Sequence, residues 1–470
     1  MSCTASRASP YSINARAAGK DTHSAAQNAL GRSVTRAHSS FAITEAGLKI
    51  LYISQYFPPE MGAPSARVSE LSRHWVQAGH KVTVLTGFPN HPDGVIRPDY
   101  RKQFRRGIWH EEIDGINVVR TWLLPFPNRK PYERMLNYSS FCASASLTGS
   151  FLNSPDVVIA TSPQLLVGLA GYWIAKLKRV PFVLEVRDLW PESLAAVGMG
   201  GADSKLHRAI GWLAAYLYHR ADHIAVVTPA FRERLIHDWS VPADKMSVIQ
   251  NGVETALFAQ RRSVPEIRAA LSAKRKFVVS FIGTIGLAHG LDTLILAAQR
   301  LQRETPDVLF LLLGEGADRE RVQQQARSKN LDNIRFIPQQ PRERIPDYIC
   351  ASDACLVLLR KSEVFETVIP TKMLEFMSCA RPVILGVEGQ ARDILEKAQA
   401  GVCCEPGNHD ALCRAILLLK QNREMGEALG RNGRKYILQN LSRQKTAAAY
   451  LLVLSNLLKR NVQIGSALAA

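Results

Sequence analysis

"TVIPTKMLEFMSCARPVILG", residues 367–386, passes from a β-branched run through a proline to one lysine and one glutamate, then into an apolar strand. Proline suits the first turn of a helix, where its missing N–H would have no partner anyway. The spacing predicts a helix that starts at Pro370 and carries Lys372 and Glu375 in its first two turns. Arg381-Pro382 stops it ahead of the strand "VILGV". Free N–H groups and the helix dipole make such a start a favourable place for an anion. The N–H groups of Val368 and Ile369, together with Lys372, suit a diphosphate. Glu375 offers two acceptor oxygens to the vicinal hydroxyls of a ribose. A solvated lysine and glutamate on an exposed face is the plain alternative, but Met373, Leu374, Phe376 and Met377 leave little polar surface for it.

The same alternation of strand and helix extends in both directions. From Leu48, "LKILYIS" is an apolar run of the kind buried on both faces of a parallel sheet, followed by the loop "QYFPPEMGAPS", a helix and the strand "KVTVLTG". Further strands at "INVVRTWL", "DVVIAT", "PFVLEVRD", "HIAVVT" and "KMSVIQNG" complete a first half of ordinary domain size. The stretch "VETALFAQRRSVPEI" loses periodicity, and a second series opens at "KFVVSFIG". The fold class is α/β: two doubly wound, Rossmann-like domains facing each other across a cleft. The expected boundaries are a disordered extension over 1–47, a first domain over 48–250, a linker over 251–275, a second domain over 276–440, a closing helix over 441–460 and a tail over 461–470.

A chain of 470 residues is too long for one ordinary core, and 46% hydrophobic with 21% charged residues describes a globular protein. The formal charge of +18 points to a polyanionic neighbour, whether nucleic acid, an anionic membrane surface or a phosphorylated substrate. The eight cysteines form no CxxC pair and no metal-finger spacing, which suits small buried hydrophobes in a reducing compartment. No uncharged apolar run reaches the length of about 18 residues that a membrane-spanning helix needs. Residues before about Leu48 are rich in Ser, Ala and Arg and poor in large hydrophobes, a composition that builds no core. They read as a transit peptide, a dispensable tail or an extension from a misassigned start.

In an open parallel sheet the ligand sits at the carboxyl ends of strands. "FIGTIGLAHGLD" places Gly283, Gly286 and Gly290 between a strand and a helix, where glycine lets the backbone approach a phosphate. A tight turn accounts for them equally well. The spacing is not GxGxxG. The next strand ends "LLLGEGAD", with Glu315 between Gly314 and Gly316 where a dinucleotide site would want its ribose acid, so a dehydrogenase fits poorly. No GxxxxGK[ST] loop occurs, which disfavours a P-loop kinase. "VLEVRDLWPES" puts Glu185, Arg187 and Asp188 at a strand end; an ion pair from Arg187 to Asp188 or Glu192, tying a loop, is the structural alternative. "NHPDG" from Asn90 reads as a sugar- or phosphate-binding loop or simply as a turn.

Taken together, "YISQYFPPEMGAPSARVSELSRHW", "VTVLTGFPNHPDG", "EVRDLWPES", "VIQNGVETALF", "IGTIGLAHGLDTLI", "LLLGEG" and the opening stretch resemble the retaining GT-B glycosyltransferases of family 4. Within that family the chain is most similar to the WbuB-like, N-acetyl-fucosamine-transferase-like group of bacterial O-antigen and capsule assembly. The resemblance implies a UDP-linked sugar donor, possession of no metal or other cofactor, and a lipid-linked saccharide acceptor on a polyprenyl diphosphate. Glu375 matches the second glutamate of the family's E-x7-E element, which holds the donor ribose. The first falls on Thr367, with Glu366 beside it. The family's Arg/Lys pair for the diphosphate falls on neutral positions or on His289, leaving Lys372 and the glycine-loop amides, with Gly283, Gly286, Gly314 and Glu315, to frame the donor. Gly62 and Ala63 match the amino-terminal glycine loop. Asp188 falls where many members place a catalytic histidine, so Asp188 and Lys372 are the expected catalytic residues. A nucleotide-sugar 2-epimerase and a catalytically degenerate scaffold protein are the competing readings.

"RPDYRKQFRRGIW" carries Arg101, Lys102, Arg105 and Arg106 among aromatic rings. A solvated loop is the default, but cations with rings also suit a phospholipid headgroup region. The expectation is peripheral attachment at the cytoplasmic face of the membrane. Nucleic acid is not an expected partner, because no nucleic-acid-binding module is present.

Overall fold

The computed structural model describes residues 47–469 apart from 92, 128–130, 163, 193–204 and 262–264. Residues 1–46, nearly all of the expected disordered extension, therefore lie outside the described residues. The first lobe is built on strands β1 (Lys49–Ile53), β2 (Lys81–Gly87), β3 (Ile108–Ile113), β4 (Ile116–Thr121), β5 (Val157–Thr161), β6 (Phe182–Val186), β7 (His223–Val226) and β8 (Met246–Val248). They form one sheet in the order β3-β4-β2-β1-β5-β6-β7-β8, parallel throughout except for β3 against β4. β3 is missing from the sequence reading. It is an edge strand whose side chains are all exposed or half-buried, so no apolar run announces it. The helices here are α1 (Ala63–Gln77), α2 (Arg101–Phe104), α3 (Pro131–Phe151), α4 (Leu165–Lys178), α5 (Lys205–Arg220) and α6 (Pro229–His237).

The second lobe has strands β9 (Phe277–Ile282), β10 (Val308–Leu313), β11 (Ile334–Ile337), β12 (Ala354–Leu358), β13 (Val383–Gly386) and β14 (Gly401–Cys403), all parallel in the order β11-β10-β9-β12-β13-β14. Its helices are α7 (Pro265–Ala270), α8 (Asp292–Glu304), α9 (Arg319–Ser328), α10 (Ile345–Ala351), α11 (Glu363–Glu366), α12 (Thr371–Ser378), α13 (Gln390–Ala398), α14 (His409–Gln421) and α15 (Arg423–Asn440). The strand order turns back between β9 and β12, so the loops leaving these two strands diverge and open a crevice at their carboxyl ends. The doubly wound, two-domain reading holds.

The linker and the closing helix differ from expectation. Residues 251–275 are no free tether: Val253 and Phe258 are fully buried, and α7 forms within the segment. The chain passes between the lobes twice, and the two passages are paired. Val253 N donates to Leu441 O at 2.9 Å, and Arg443 N donates to Val253 O at 2.7 Å. The last helix, α16, runs Arg443–Ala469 and continues through the residues expected to be a tail, because "NVQIGSALA" holds no proline to stop it and its one glycine costs only about 1 kcal/mol. It returns to the first lobe, where Trp75 Nε1 donates to Ala447 O at 3.1 Å and Tyr450 packs edge-on against the Trp75 ring. Residues 48–470 accordingly form one compact unit. No described helix is long and apolar enough to cross a membrane.

Candidate active site

The two glycine loops after β9 and β10 are stacked on one another. Gly283 N donates to Leu313 O at 2.9 Å, Ile285 N to Glu315 O at 2.8 Å and Asp318 N to Ile285 O at 3.1 Å. Gly314 makes this possible: its φ is +140°, and a Cβ there would stand 2.0 Å from Gly283 O.

Beneath this loop pair lies Lys372. Helix α12 begins after Pro370, as the sequence predicts, and its second residue sends Nζ to a position 4.1 Å from the centroid of the Phe281 ring. A Cβ placed on Gly283 would lie 3.3 Å from both Cε and Nζ of Lys372. The ammonium is buried and has no hydrogen-bond partner. Burial pushes its pKa down to about 7, only partly opposed by the Glu375 charge. A buried cation without a counter-ion is costly, and an anionic ligand would supply what it lacks. His289 touches the same Phe281 ring edge-on, and its Nδ1 lies 3.2 Å from Gly286 N. Burial, then the Lys372 charge, hold this imidazole down to about 3. His289 is therefore a neutral hydrogen-bonding group and cannot replace the cation of the family's diphosphate pair at neutral pH.

Glu375, one turn further along α12, faces the gap between the lobes. Its Oε1 accepts from Arg342 Nη1 at 3.2 Å, and Arg342 Nη2 donates to Glu70 Oε1 on α1 at 2.7 Å. Glu70 Oε2 takes Arg443 Nε at 2.8 Å. The chain Glu375–Arg342–Glu70–Arg443 thus joins both lobes and the closing helix. Burial raises the pKa of Glu375, with Arg342 opposing. Burial acts the same way on Glu70, but Arg443 and Arg342 outweigh it and hold that carboxylate below its ordinary value.

Other expected residues fall into place less simply. Thr367 is buried, and its hydroxyl is committed to Val364 O at 2.7 Å, so it offers no hydrogen to a sugar. Glu366 is exposed. Val368 N reaches Phe365 O at 3.4 Å, and its side chain packs against the first lobe's core, the apolar cluster that also holds Val186 and Leu189. Ile369 is buried in the second lobe. Glu315 is 45% exposed and pairs with Arg319; its backbone carbonyl, not its carboxylate, is what secures the loop.

Gly62 precedes α1 with φ +149° and is exposed. Two residues earlier Glu60 is buried, accepts Asn90 N and His91 N at 2.9 and 3.0 Å, and is pushed up to about 7 by burial. Gly94 N donates to Asn90 O at 2.7 Å.

At the end of β6 the three charged residues separate by role. Glu185 is a core residue: it takes Arg67 at 2.8 Å, Tyr52 OH at 2.7 Å and Thr161 Oγ1 at 2.7 Å. Asp188 is half-buried, and its pKa is raised by burial with Arg187 opposing. Among the described residues neither Asp188 nor Arg187 makes an ion pair, so the alternative of an ion-paired loop tie does not form; Arg187 Nε and Nη1 are buried without partners. Arg101, Lys102, Arg105 and Arg106 are exposed on and just after α2.

Sequence reasoning missed Arg342, Glu70 and Arg443. Each sits in an ordinary polar context, and only the meeting of two lobes gives it a partner.

Residues 62–252 match the Glycosyl transferase 4-like domain family, and residues 263–436 match the family Glycosyl transferases group 1. The chain is 24% identical over 393 residues to the putative colanic acid biosynthesis glycosyl transferase WcaI of Escherichia coli, covering 80% of this chain and 94% of that protein. It is 25% identical over 285 residues to the probable glycosyltransferase WbjE of Pseudomonas aeruginosa, covering 59% and 69%. Among solved structures, Anabaena HepE in complex with UDP and glucose superposes with a TM-score of 0.66 at 18% identity, covering 87% of this chain and 99% of that one. Sucrose-phosphate synthase from Thermosynechococcus elongatus gives 0.69 at 19%, with the same coverage. Two family matches, each seated on one lobe, and a shared two-lobed fold lead to one conclusion: the chain belongs to the GT-B glycosyltransferases.

Proposed function

We propose that the protein transfers a sugar, an amino-deoxy-sugar in the WbuB-like manner, from a UDP-linked donor to a saccharide carried on a polyprenyl diphosphate, with retention at the anomeric carbon and without a metal. The observation that carries this reading is the unpartnered ammonium of Lys372 beneath the Gly283–Gly314 loop pair, one helical turn from Glu375. A nucleoside diphosphate supplies the anion for Lys372 and the ribose hydroxyls for the second oxygen of Glu375, whose first is held by Arg342. As the glycosidic bond breaks, charge builds on the leaving diphosphate, and a fixed cation with helix-end N–H groups stabilises that charge more than the ground state. Attack from the same face, with the leaving phosphate taking the acceptor proton, gives retention with no protein nucleophile. Asp188 is assigned to the sugar side of the cleft.

Support for the donor class comes from HepE, solved with UDP and with UDP-glucose. Support for the pathway class comes from relatives named for colanic acid and teichuronic acid biosynthesis. A lipid-linked acceptor fits peripheral attachment at the cytoplasmic membrane face through Arg101, Lys102, Arg105 and Arg106. The buried, self-bonded Thr367 in place of the first glutamate favours one competing reading, a catalytically degenerate scaffold protein. Donor-dependent UDP release in the presence of a polyprenyl-diphosphate saccharide tests both. Product formation supports transfer, donor binding without release supports the degenerate protein, and failure to bind any UDP-sugar rejects the proposal.

A further inference from the structure

Helices α3, α4 and α5 turn a connected apolar and aromatic surface to solvent. Leu136, Ala143, Leu147 and Phe151 lie along one side of α3, and the last two are 64% and 83% exposed. Trp173 on α4, 56% exposed, donates from Nε1 to Ser150 Oγ at 3.3 Å, which seats it beside the end of α3. Trp212 on α5, 71% exposed, stacks on Tyr216 with centroids 5.8 Å apart, and Tyr216 meets Tyr172 edge-on at 5.7 Å. Single exposed apolar residues are ordinary, but a connected row of this size marks a surface with a partner.

The charges choose the partner. Lys176 Nζ lies 5.8 Å from the Tyr172 ring centroid and the Arg220 guanidinium 5.6 Å from that of Tyr216, while Lys205 and Arg208 are exposed on α5. The three helices contain one carboxylate, Glu133 in the first turn of α3. Asp156 and Asp222, which follow α3 and α5, are already bonded to the N–H groups of Lys49 and Phe182, at 2.7 and 2.8 Å. Two copies of such a face would set cation against cation across a two-fold axis. An anionic lipid surface satisfies both components: rings and aliphatic tips settle at headgroup depth, and Lys/Arg meet phosphate. The surface also continues into the basic segment. Ser144 on α3 donates to Trp122 O, and the Trp122 ring stacks on Phe104 of α2 at 6.4 Å, among Arg101, Lys102, Arg105 and Arg106.

We propose that the α3–α4–α5 face is a docking surface for anionic membrane lipid, with Phe151, Trp173 and Trp212 as the side chains that enter the headgroup layer. This deepens the reading of a membrane-held acceptor and rests on it, adding the apolar component that the basic segment lacks. The test is flotation of the full chain with vesicles of phosphatidylglycerol and phosphatidylcholine, and with phosphatidylcholine alone. The proteins compared are wild type and the triple variant Phe151→Ser, Trp173→Ser, Trp212→Ser, with UDP-glucose and UDP-N-acetylglucosamine binding measured alongside to report the fold. The proposal expects wild type to float with the anionic vesicles, its tryptophan fluorescence to be quenched by brominated phosphatidylglycerol, and the triple variant to lose about tenfold or more in vesicle affinity while binding nucleotide sugar as before. Equal flotation of the triple variant overturns it, as does a wild type that ignores anionic vesicles and instead dimerises through this face in sedimentation. A wild type that floats but binds no UDP-sugar overturns the donor reading and leaves this one standing.

Discussion

Arg342 Nη1 stands 3.2 Å from Glu375 Oε1, and the same guanidinium reaches across to Glu70 on the other lobe. One side chain therefore holds the ribose-side carboxylate in place and ties it to α1. Arg342→Ala should weaken UDP-sugar binding about tenfold, ~1.4 kcal/mol, with Arg342→Lys restoring part of the loss. Burial already raises the pKa of Glu375, and removing its cation raises it further. Donor affinity in the alanine variant should therefore improve as pH rises and the carboxylate ionises, a dependence weaker in wild type. Calorimetric titrations at several pH values check this.

Lys372 gives a dependence of the opposite sign. Its ammonium titrates near pH 7 in the free protein, and a bound diphosphate restores the proton. Binding should take up a proton above pH 7, and affinity for a UDP-sugar should fall about tenfold per pH unit there. A UDP-sugar is the right probe because its diphosphate does not itself titrate in this range. Lys372→Met should bind weakly and without that slope. Because the folded pKa lies below the ordinary 10.5, the native state loses stability as pH falls from about 10.5 to about 7 and has lost it fully below. The methionine variant should then melt higher than wild type at pH 6, and less so at pH 10.

Arg67 and Glu185 carry a structural prediction. Both side chains are almost wholly buried and bonded at 2.8 Å. Burial alone would raise the pKa of Glu185, but the charge and hydrogen bonds of Arg67 prevail and lower it. Arg67→Met should cost about 3–5 kcal/mol in urea unfolding, since it strands a buried carboxylate. In wild type this pair stabilises above the ordinary value of 4.5, and its contribution disappears as pH falls through the lowered one.

Asp188 separates binding from chemistry. Asp188→Asn should reduce kcat by about a hundredfold while leaving donor dissociation constants unchanged, the expected size for loss of one charge positioned against the developing positive charge of the sugar. Steady-state kinetics alongside direct binding distinguishes this from a residue that merely ties a loop.

Most of the fold was readable because its strands are short continuous apolar runs between glycine and proline punctuation; β3, whose side chains face solvent on both sides, lacked that signal. Pro370 announces α12, so the sequence by itself places Lys372 and Glu375 on one helix start. What could not be read were relationships made by the meeting of lobes. Nothing local marks Arg342 in "QPRERIP" as the partner of Glu70, whose own helix lies 272 residues away. Nor does local sequence separate Glu185, locked in the core, from Asp188 three residues later, which makes no ion pair among the described residues. Thr367 was placed by motif register and Glu315 by its seat between two glycines at a strand end, and their side chains bond to Val364 O and Arg319 nearby.

The central claim is that a nucleotide diphosphate sits between Lys372 and the glycine loops with its ribose on Glu375. Isothermal titration of UDP-glucose and UDP-N-acetylglucosamine into wild type, Lys372→Met, Glu375→Gln and the surface control Glu315→Gln tests it most directly. The account predicts at least one of these ligands binding wild type and Glu315→Gln alike, with about tenfold or greater loss in each of the other two variants. Wild-type affinity retained in both Lys372→Met and Glu375→Gln would contradict it.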